Sequence, residues 1–327
     1  MKMNLKTAWR VAATAVSLMV GMALPAHAAY PERAVTVVVP FAPGQTGDII
    51  ARLVAKELQG RLGQAFIVDN RPGTGGRLGT ATVARAKPDG YTLLLTSSGP
   101  FAIAPALYAR TMTYDPVRDF VGIAELASTP QVILVSNQSG VTSLPALVKE
   151  ALAKDLSYGS AGNGSLQHLT MELLKKELQF PMVHVPFKGS SESKTALIGG
   201  QIDASADSLP AVIGSVKSGQ IKAVAVVDTR RSEYLPEVPT LTEAGFPAQS
   251  AVAFFGLVAP KGVSQEIVRL LHKEATSLIK SPAFQEQMRK QALTLPEERT
   301  PEQFDAYLSQ EVARWRKVVQ EAQVSAE

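Results

Sequence analysis

No cysteine occurs in the 327 residues, which excludes a disulfide framework, a zinc–thiolate site, an iron–sulfur cluster and a cysteine nucleophile. Histidine is scarce, with 4 residues, and aromatic residues make up 6%. No G-x-S-x-G elbow and no H-E-x-x-H stretch is present. Gly73-Thr74-Gly75-Gly76 fails the G-x-G-x-x-G spacing because Leu78 holds the last glycine position, and no G-x-x-x-x-G-K-[ST] occurs, so a nucleotide site is not expected. Basic clusters interleaved with aromatics are missing too, which argues against a nucleic-acid partner.

What is present is a globular composition. Hydrophobic residues make up 46% and charged residues 19%, with 24 Gly and 21 Pro scattered along the chain. That profile excludes disordered, collagen-like and coiled-coil proteins, and the length accommodates two domains. At the N-terminus Lys2, Lys6 and Arg10 precede an apolar stretch from Val11 to Leu24, followed by Pro25 and Ala26-His27-Ala28. This is the three-part pattern of a secretory signal peptide over residues 1–28, cleaved between Ala28 and Ala29. The run is short for a membrane span of about 20 residues, and no cysteine follows it to carry a lipid. Removal takes three basic and no acidic residues, reducing Lys+Arg from 33 to 30 against 29 Asp+Glu. The basic balance thus belongs largely to the leader, and the mature protein is expected to be soluble and exported.

The mature chain alternates strand-like and helix-like segments. Val35 to Val39 is a β-branched run. From Asp48, placed as an N-cap, Ile49, Ile50, Leu53, Val54 and Leu58 recur at helical spacing. Phe66 to Val68, Thr92 to Thr96 and Gln131 to Ser136 read as strands. In the second half helices are predicted at Leu144 to Ala153, Leu166 to Leu178 and Ser193 to Ile198, with strands at Ser157 to Ser160, Met182 to Val185, Ile202 to Ala206 and Ile221 to Val227. An extended segment Ala251 to Val258 and helices near Ser264 to Lys280 and Pro301 to Ala322 complete the chain. The alternation predicts parallel α/β sheets in two domains with a cleft between them.

Ligands of such sheets bind where strands turn into helices. Three loops of this kind stand out: Pro40 to Asp48, Ser160 to Ser165 and Thr96 to Gly99. All are rich in glycine and neutral donors, and none carries Arg or Lys. They suit a carboxylate held by backbone N–H groups and hydroxyls. His168 and Glu172 have the spacing of metal ligands, but no second histidine stands nearby and a hydrogen-bonded structural role is the simpler reading. Ser165 and His168 name no third catalytic partner. An enzyme would have to start from Asp48, His168 or Asp207; of these Asp207 is the one expected to face the cleft.

These segments belong to an ordered set: Tyr30-Pro31-Glu32-Arg33, the Pro40-to-Arg52 block, Asp69-Asn70-Arg71-Pro72-Gly73 and Lys87-Pro88-Asp89-Gly90-Tyr91-Thr92-Leu93. Then come Tyr114-Asp115-Pro116, Asp119-Phe120, His184-Val185-Pro186-Phe187-Lys188-Gly189, Leu235-Pro236-Glu237-Val238-Pro239-Thr240, Gly256-Leu257-Val258-Ala259-Pro260 and Arg314-Trp315. Across the whole mature chain the set closely resembles the substrate-binding proteins of tripartite tricarboxylate transporters, the Bug family of periplasmic receptors. The resemblance implies an α/β, two-domain, type II periplasmic-binding-protein-like fold with a ligand cleft between domains. Domain 1 would comprise residues 29–127 plus 251–327 and domain 2 residues 128–250, with crossings near Ala127 and Ser250. It implies no catalysis, cofactor or metal, a small organic carboxylate as ligand, and the permease subunits of a tripartite transporter as partner of a monomeric receptor. A sensor role on the same fold and an enzyme acting on a carboxylated substrate are the alternatives.

The site expected on this basis is specific. Backbone N–H groups at Thr46, Gly47, Asp48, Asn163, Gly164 and Ser165, with the hydroxyls of Ser97, Ser98 and Ser160, hold one carboxylate; His168 lies beside the second loop. Phe41 and Phe254 flank the cleft, and Gln45 and Asp207 define its distal end. A bulky residue at Gly164 is expected to abolish binding without unfolding the protein. Gln45 replaces a glycine usual in the family, Ala206 an aromatic, and Phe254 a common tryptophan, departures that bear on which ligand fits.

Overall fold

The structure, a computed structural model, describes residues 30–247 and 250–322. The predicted leader, residues 1–28, and its cleavage site at Ala28/Ala29 lie outside the described residues. The chain forms two units, Met1–Glu32 and Arg33–Glu327; all described secondary structure belongs to the second. Among the described residues no helix is long and apolar enough to cross a membrane.

Strand β1 (Val35–Val39) forms where the β-branched run predicts it, with four of its five residues buried. It pairs in parallel with β2 (Phe66–Asn70) and β3 (Thr92–Ser97). Between them lie helix α1 (Thr46–Leu62), which ends on Gly63 at φ 71°, and α2 (Arg77–Ala84). A π-helical turn at Gly99–Ile103 leads from β3 into the short α3 (Ala104–Leu107). Strand β4 (Phe120–Ser136) is followed by α4 (Leu144–Ala153), β5 (Ser157–Ser160), α5 (Leu166–Leu178), β6 (Val183–Pro186), α6 (Ser190–Ile198) and β7 (Ala204–Ser208). Then come α7 (Leu209–Lys217), β8 (Ile221–Val227), β9 (Val252–Pro260), α8 (Gln265–Ile279), α9 (Pro282–Lys290) and α10 (Pro301–Ala322).

The sheet is mixed rather than parallel. Its order is β2-β1-β3-β9-β4-β7-β5-β6, with β8 also on β4. The parallel prediction holds within β1–β3 and within β5–β7, but β9 and β4 join these trios through antiparallel pairings. Strand β4 also starts eleven residues before the predicted Gln131. It pairs with β9 as far as Pro130↔Val252 and with β7 and β8 from Gln131 onward. The proline that reads as a strand breaker thus falls where β4 changes partners and a ladder N–H is dispensable.

Glycines let α10 lie close on this shared strand. A Cβ at Gly256 would come within 2.4 Å of Phe304 Cζ, and one at Gly122 within 2.8 Å of Phe304 Cδ1. The other end of the sheet packs on its own core of Val132, Leu134, Leu197, Leu209, Val212 and Val226.

Candidate functional site

The carboxyl ends of β1, β2, β3, β5, β6 and β7 open onto one pocket, which fits the rule for open α/β sheets. Its space, counted out to the mouth and including open solvent, is about 840 Å³. The loop after β1 contributes Phe41, Gln45, Thr46 and Gly47; the loop after β2 contributes Gly73 to Gly76. Ser165, Leu166 and Gln167 come from the start of α5, and Lys188, Gly189 and Ser190 from the start of α6.

The floor is read from strand register. Ser97 pairs with Phe255, Thr129 with Ala253, and Gln131 with Ser208. Side chains directly opposite share a face, and Ser97, Phe255, Ala253, Gln131 and Ser208 all line the pocket. Phe254, expected to flank the cleft, has the opposite parity. It is fully buried on the other face, packed edge-on against Phe101 and Tyr307. Phe255 takes the expected place, with its ring edge-on to Phe41 at 6.4 Å between centroids.

Three helix N-termini converge here. Thr46 and Gly47 open α1, Leu166 and Gln167 open α5, and Ser190 opens α6. First-turn N–H groups lack intrahelical acceptors and carry the positive end of the helix dipole. Lys188 adds the one charged side chain among the described lining residues, and no Asp or Glu is among them. The pocket is therefore electropositive, built for an anion.

Asp48 was placed as the N-cap of α1; the N-cap is Gln45, and Asp48 stands in the first turn. It is buried, accepts from Gly44 N–H at 2.8 Å and Asn70 Nδ2 at 3.0 Å, and pairs with Arg52. Burial opposes its ionisation, but Arg52, Gly44 and Asn70 together outweigh it and hold the carboxyl below its ordinary value. Asp48 thus braces the first loop from behind. Gln45 Oε1 accepts from Ala42 N–H at 3.1 Å, and a Cβ on Gly189 would sit 2.6 Å from Gln45 Nε2. Opposite, Thr46 Oγ1 and Ser208 Oγ share a hydrogen bond of 2.9 Å. Loops at the two ends of the sheet therefore already touch across the pocket.

Of the predicted site residues, Phe41, Gln45, Thr46, Gly47, Ser97 and Ser165 line the pocket; Asp48, Ser98, Ser160, Asn163, Gly164, His168, Asp207 and Phe254 do not. Ser98 is fully buried and accepts from Phe254 N–H. Ser160 Oγ bonds Gly162 and lies 2.7 Å from His184 Nε2. Asn163 is turned outward, with its carbonyl accepting from Tyr108 Oη–H at 3.1 Å. Asp207 lies behind the wall, where its Oδ1 accepts from Ser190 Oγ, Gln167 Nε2 and Ser208 N–H at 2.7 to 3.1 Å. Burial pushes its carboxyl above its ordinary value despite these donors.

Beneath the second loop His168 and His184 stack at 4.1 Å, and His184 stacks on Tyr158 at 4.8 Å. His168 Nδ1 accepts from Gly164 N–H at 3.2 Å. Burial lowers both imidazoles, His184 to about 4 with His168 adding to the effect, so both are neutral at pH 7 and serve as a prop. Gly164 itself stands at φ 77°, and a Cβ there would meet Leu107 Cδ1 and Tyr108 Cε2 at 3.0 Å. Contrary to the expectation from sequence, Gly164→Leu should destabilise the ligand-free protein by about 2 kcal/mol through strain and overpacking. Thermal unfolding without ligand checks this; an unchanged melting temperature would contradict it.

Sequence reasoning missed Gln131, Gln167, Lys188, Ser190, Ser208 and Phe255. Gln131 had a visible signal, a single amide in an apolar strand. Lys188 stood in a quoted motif without a role.

A model of the family described as the tripartite tricarboxylate transporter family receptor matches residues 50–324. Protein BugT of Bordetella pertussis is 35% identical over 305 residues, which cover 92% of this chain and 93% of BugT. Among solved structures, Rpa4515 of R. palustris with adipate is 34% identical at a TM-score of 0.87, covering 90% of this chain and 99% of that one. MatC (Rpa3494) from Rhodopseudomonas palustris with bound malate is 32% identical at a TM-score of 0.83, covering 89% and 100%. Converging helix N-termini, six strand ends on one pocket and a match over most of the chain lead to one assignment: this chain belongs to the tripartite tricarboxylate transporter receptor family, the family of the Bug proteins.

Proposed function

We propose that this chain is a periplasmic solute receptor that captures a small organic carboxylate and delivers it to a tripartite membrane transporter. The observation that carries the reading is the convergence of the α1, α5 and α6 N-termini with Lys188 on a pocket with no Asp or Glu among its described lining residues. The ligands of two relatives, adipate and malate, support a carboxylate of this size. We assign residues 29–127 and 251–327 to one domain and 128–250 to the other. The partner change at Pro130/Gln131 in β4 supports a boundary there, near the first of the proposed crossings. The exported receptor, freed of residues 1–28, acts as a monomer, closes its two domains on the ligand and releases it unchanged.

A thermal-shift screen of the mature protein against mono-, di- and tricarboxylates tests this. A dose-dependent rise with one subset is expected, because a ligand that binds only the folded state stabilises it by mass action. Recovery of that ligand intact by mass spectrometry separates a receptor from an enzyme. No shift with any carboxylate would overturn the reading. Lys188→Met should weaken binding of the active carboxylate about fivefold and flatten its salt dependence, since an exposed cation acts through screened attraction. Calorimetry at low and high salt measures both effects.

A further inference from the structure

Gln131 stands where β4 leaves β9 and takes up β7 and β8. Its N–H donates to Ala251 O at 3.0 Å. Its side chain shares the pocket face with Ser208 and Ala253, yet it is 1% exposed and its Oε1 has no hydrogen-bond partner. A buried polar atom without a partner is costly, and native structures seldom leave one so. The nearest hydroxyl in register, that of Ser208, is engaged with Thr46. Ala253 and Phe255 offer no polar side-chain atom. The missing partner is therefore one that enters the pocket.

We propose that Gln131 determines specificity: its carboxamide pairs with a hydroxyl on the ligand, so the site prefers hydroxyl-substituted carboxylates to their unsubstituted and amino-substituted counterparts. The inference rests on the carboxylate-receptor reading and narrows it. A hydroxyl both donates and accepts, so it satisfies the amide whichever way its terminal group is turned. An ammonium group only donates, and it brings a charge the pocket opposes. Three helix N-termini and Lys188 make the surroundings positive, and no carboxylate among the described lining residues compensates it. Of the two acids described behind the wall, Asp207 has its Oδ1 committed to Ser190, Gln167 and Ser208, and Asp48 is paired with Arg52 and held by Gly44 and Asn70. An unsubstituted acid fits the same anion contacts but leaves Gln131 unpaired, the situation in which a site built to bond a hydroxyl discriminates against its absence.

The test is calorimetry on the wild-type protein and Gln131→Met with three matched trios: succinate, malate and aspartate; glutarate, 2-hydroxyglutarate and glutamate; propionate, lactate and alanine. In the trio of the right length, the wild type should bind the hydroxy member about tenfold tighter than the unsubstituted one, with the amino member weakest. Gln131→Met, close in volume and without the amide, should bring the hydroxy and unsubstituted members within about twofold while the unsubstituted acid binds as before. A hydroxyl preference that survives in folded Gln131→Met, or is absent from the wild type, overturns the proposal. Should that variant fail to fold, Gln131→Glu decides. Its carboxylate should raise the amino member at least about tenfold relative to the hydroxy member, and an unchanged ranking overturns the proposal. If no member of any trio binds the wild type, the proposal for Gln131 is overturned, and the carboxylate reading falls with it only where the wider screen of mono-, di- and tricarboxylates also finds no binder.

Discussion

Arg299→Met should cost about 3 kcal/mol of folding stability at pH 8 and about 1 kcal/mol at pH 5, because it strands a buried carboxylate that only protonation can relieve. Glu125 lies in the middle of β4 and is 7% exposed. Arg299 pairs with it directly, and also with Glu297 at 2.7 Å, while its guanidinium stacks over Tyr307. Burial is the largest influence on Glu125 and, in spite of Arg299, pushes its carboxyl up to about 7, with Glu297 and Glu311 adding repulsion. The ordinary value in the unfolded chain is 4.5, so between these values the folded protein holds the proton more tightly. Stability from this group is fully present below about 4.5 and declines as pH rises through about 7. Urea unfolding of the ligand-free protein at the two pH values checks the prediction. Glu125→Gln should remove the pH dependence across this window, and Glu125→Gln/Arg299→Met should return to within about 1 kcal/mol of the wild type. Equal deficits for Arg299→Met at both pH values would show that Glu125 is not the stranded charge.

That pair was invisible to sequence reading, since 174 positions separate its members and neither belongs to a local pattern. What was legible had a local cause. β-branched runs and helical apolar spacing gave β1, β8, α4, α5 and α10 nearly to the residue. The first half of β4 escaped because it carries Gly122 and Pro130 and is buried along almost its whole length, so neither alternation nor composition marks it as a strand. Helix α9 has an N-cap serine and Pro282 in its first turn but few apolar residues to set a period. The site divides in the same way. Glycine-rich loops at strand ends announced where the ligand goes, because backbone approach leaves a sequence trace. Which side chains face it depends on register, and a shift of one residue exchanges Phe254 for Phe255. Asp48 and Ser98 were recognised as polar residues of those loops and Asp207 as an acid at a strand end expected to face the cleft, yet each is consumed in holding neighbouring chain in place. Polarity in the sequence does not distinguish a group that meets the ligand from one that supports the group that does.

Gly47→Ala should lower affinity for the active carboxylate by at least about thirtyfold while changing ligand-free stability by less than about 1 kcal/mol. Gly47 lies in the first turn of α1 with an ordinary φ, so backbone strain does not argue against alanine, and helix propensity favours it by about 1 kcal/mol. The obstacle is the Phe41 ring, whose Cδ2 and Cε2 would lie 2.4 and 2.8 Å from the new Cβ. A helix N-terminus anchored by Asp48 through Gly44 and Asn70 yields less readily than a half-buried ring at a pocket edge. Phe41 therefore moves, giving up its edge-on contact with Phe255 and entering space the ligand needs. The loss of that contact, about 1 kcal/mol, roughly offsets the gain in helix propensity. Calorimetric titration with the carboxylate found in the screen, alongside urea unfolding, separates the two effects. Phe41→Leu in the Gly47→Ala background frees the space and should recover at least about tenfold of the loss. Unchanged affinity in Gly47→Ala would mean that the ring can retreat without meeting the ligand, and that the first loop binds through its N–H groups alone.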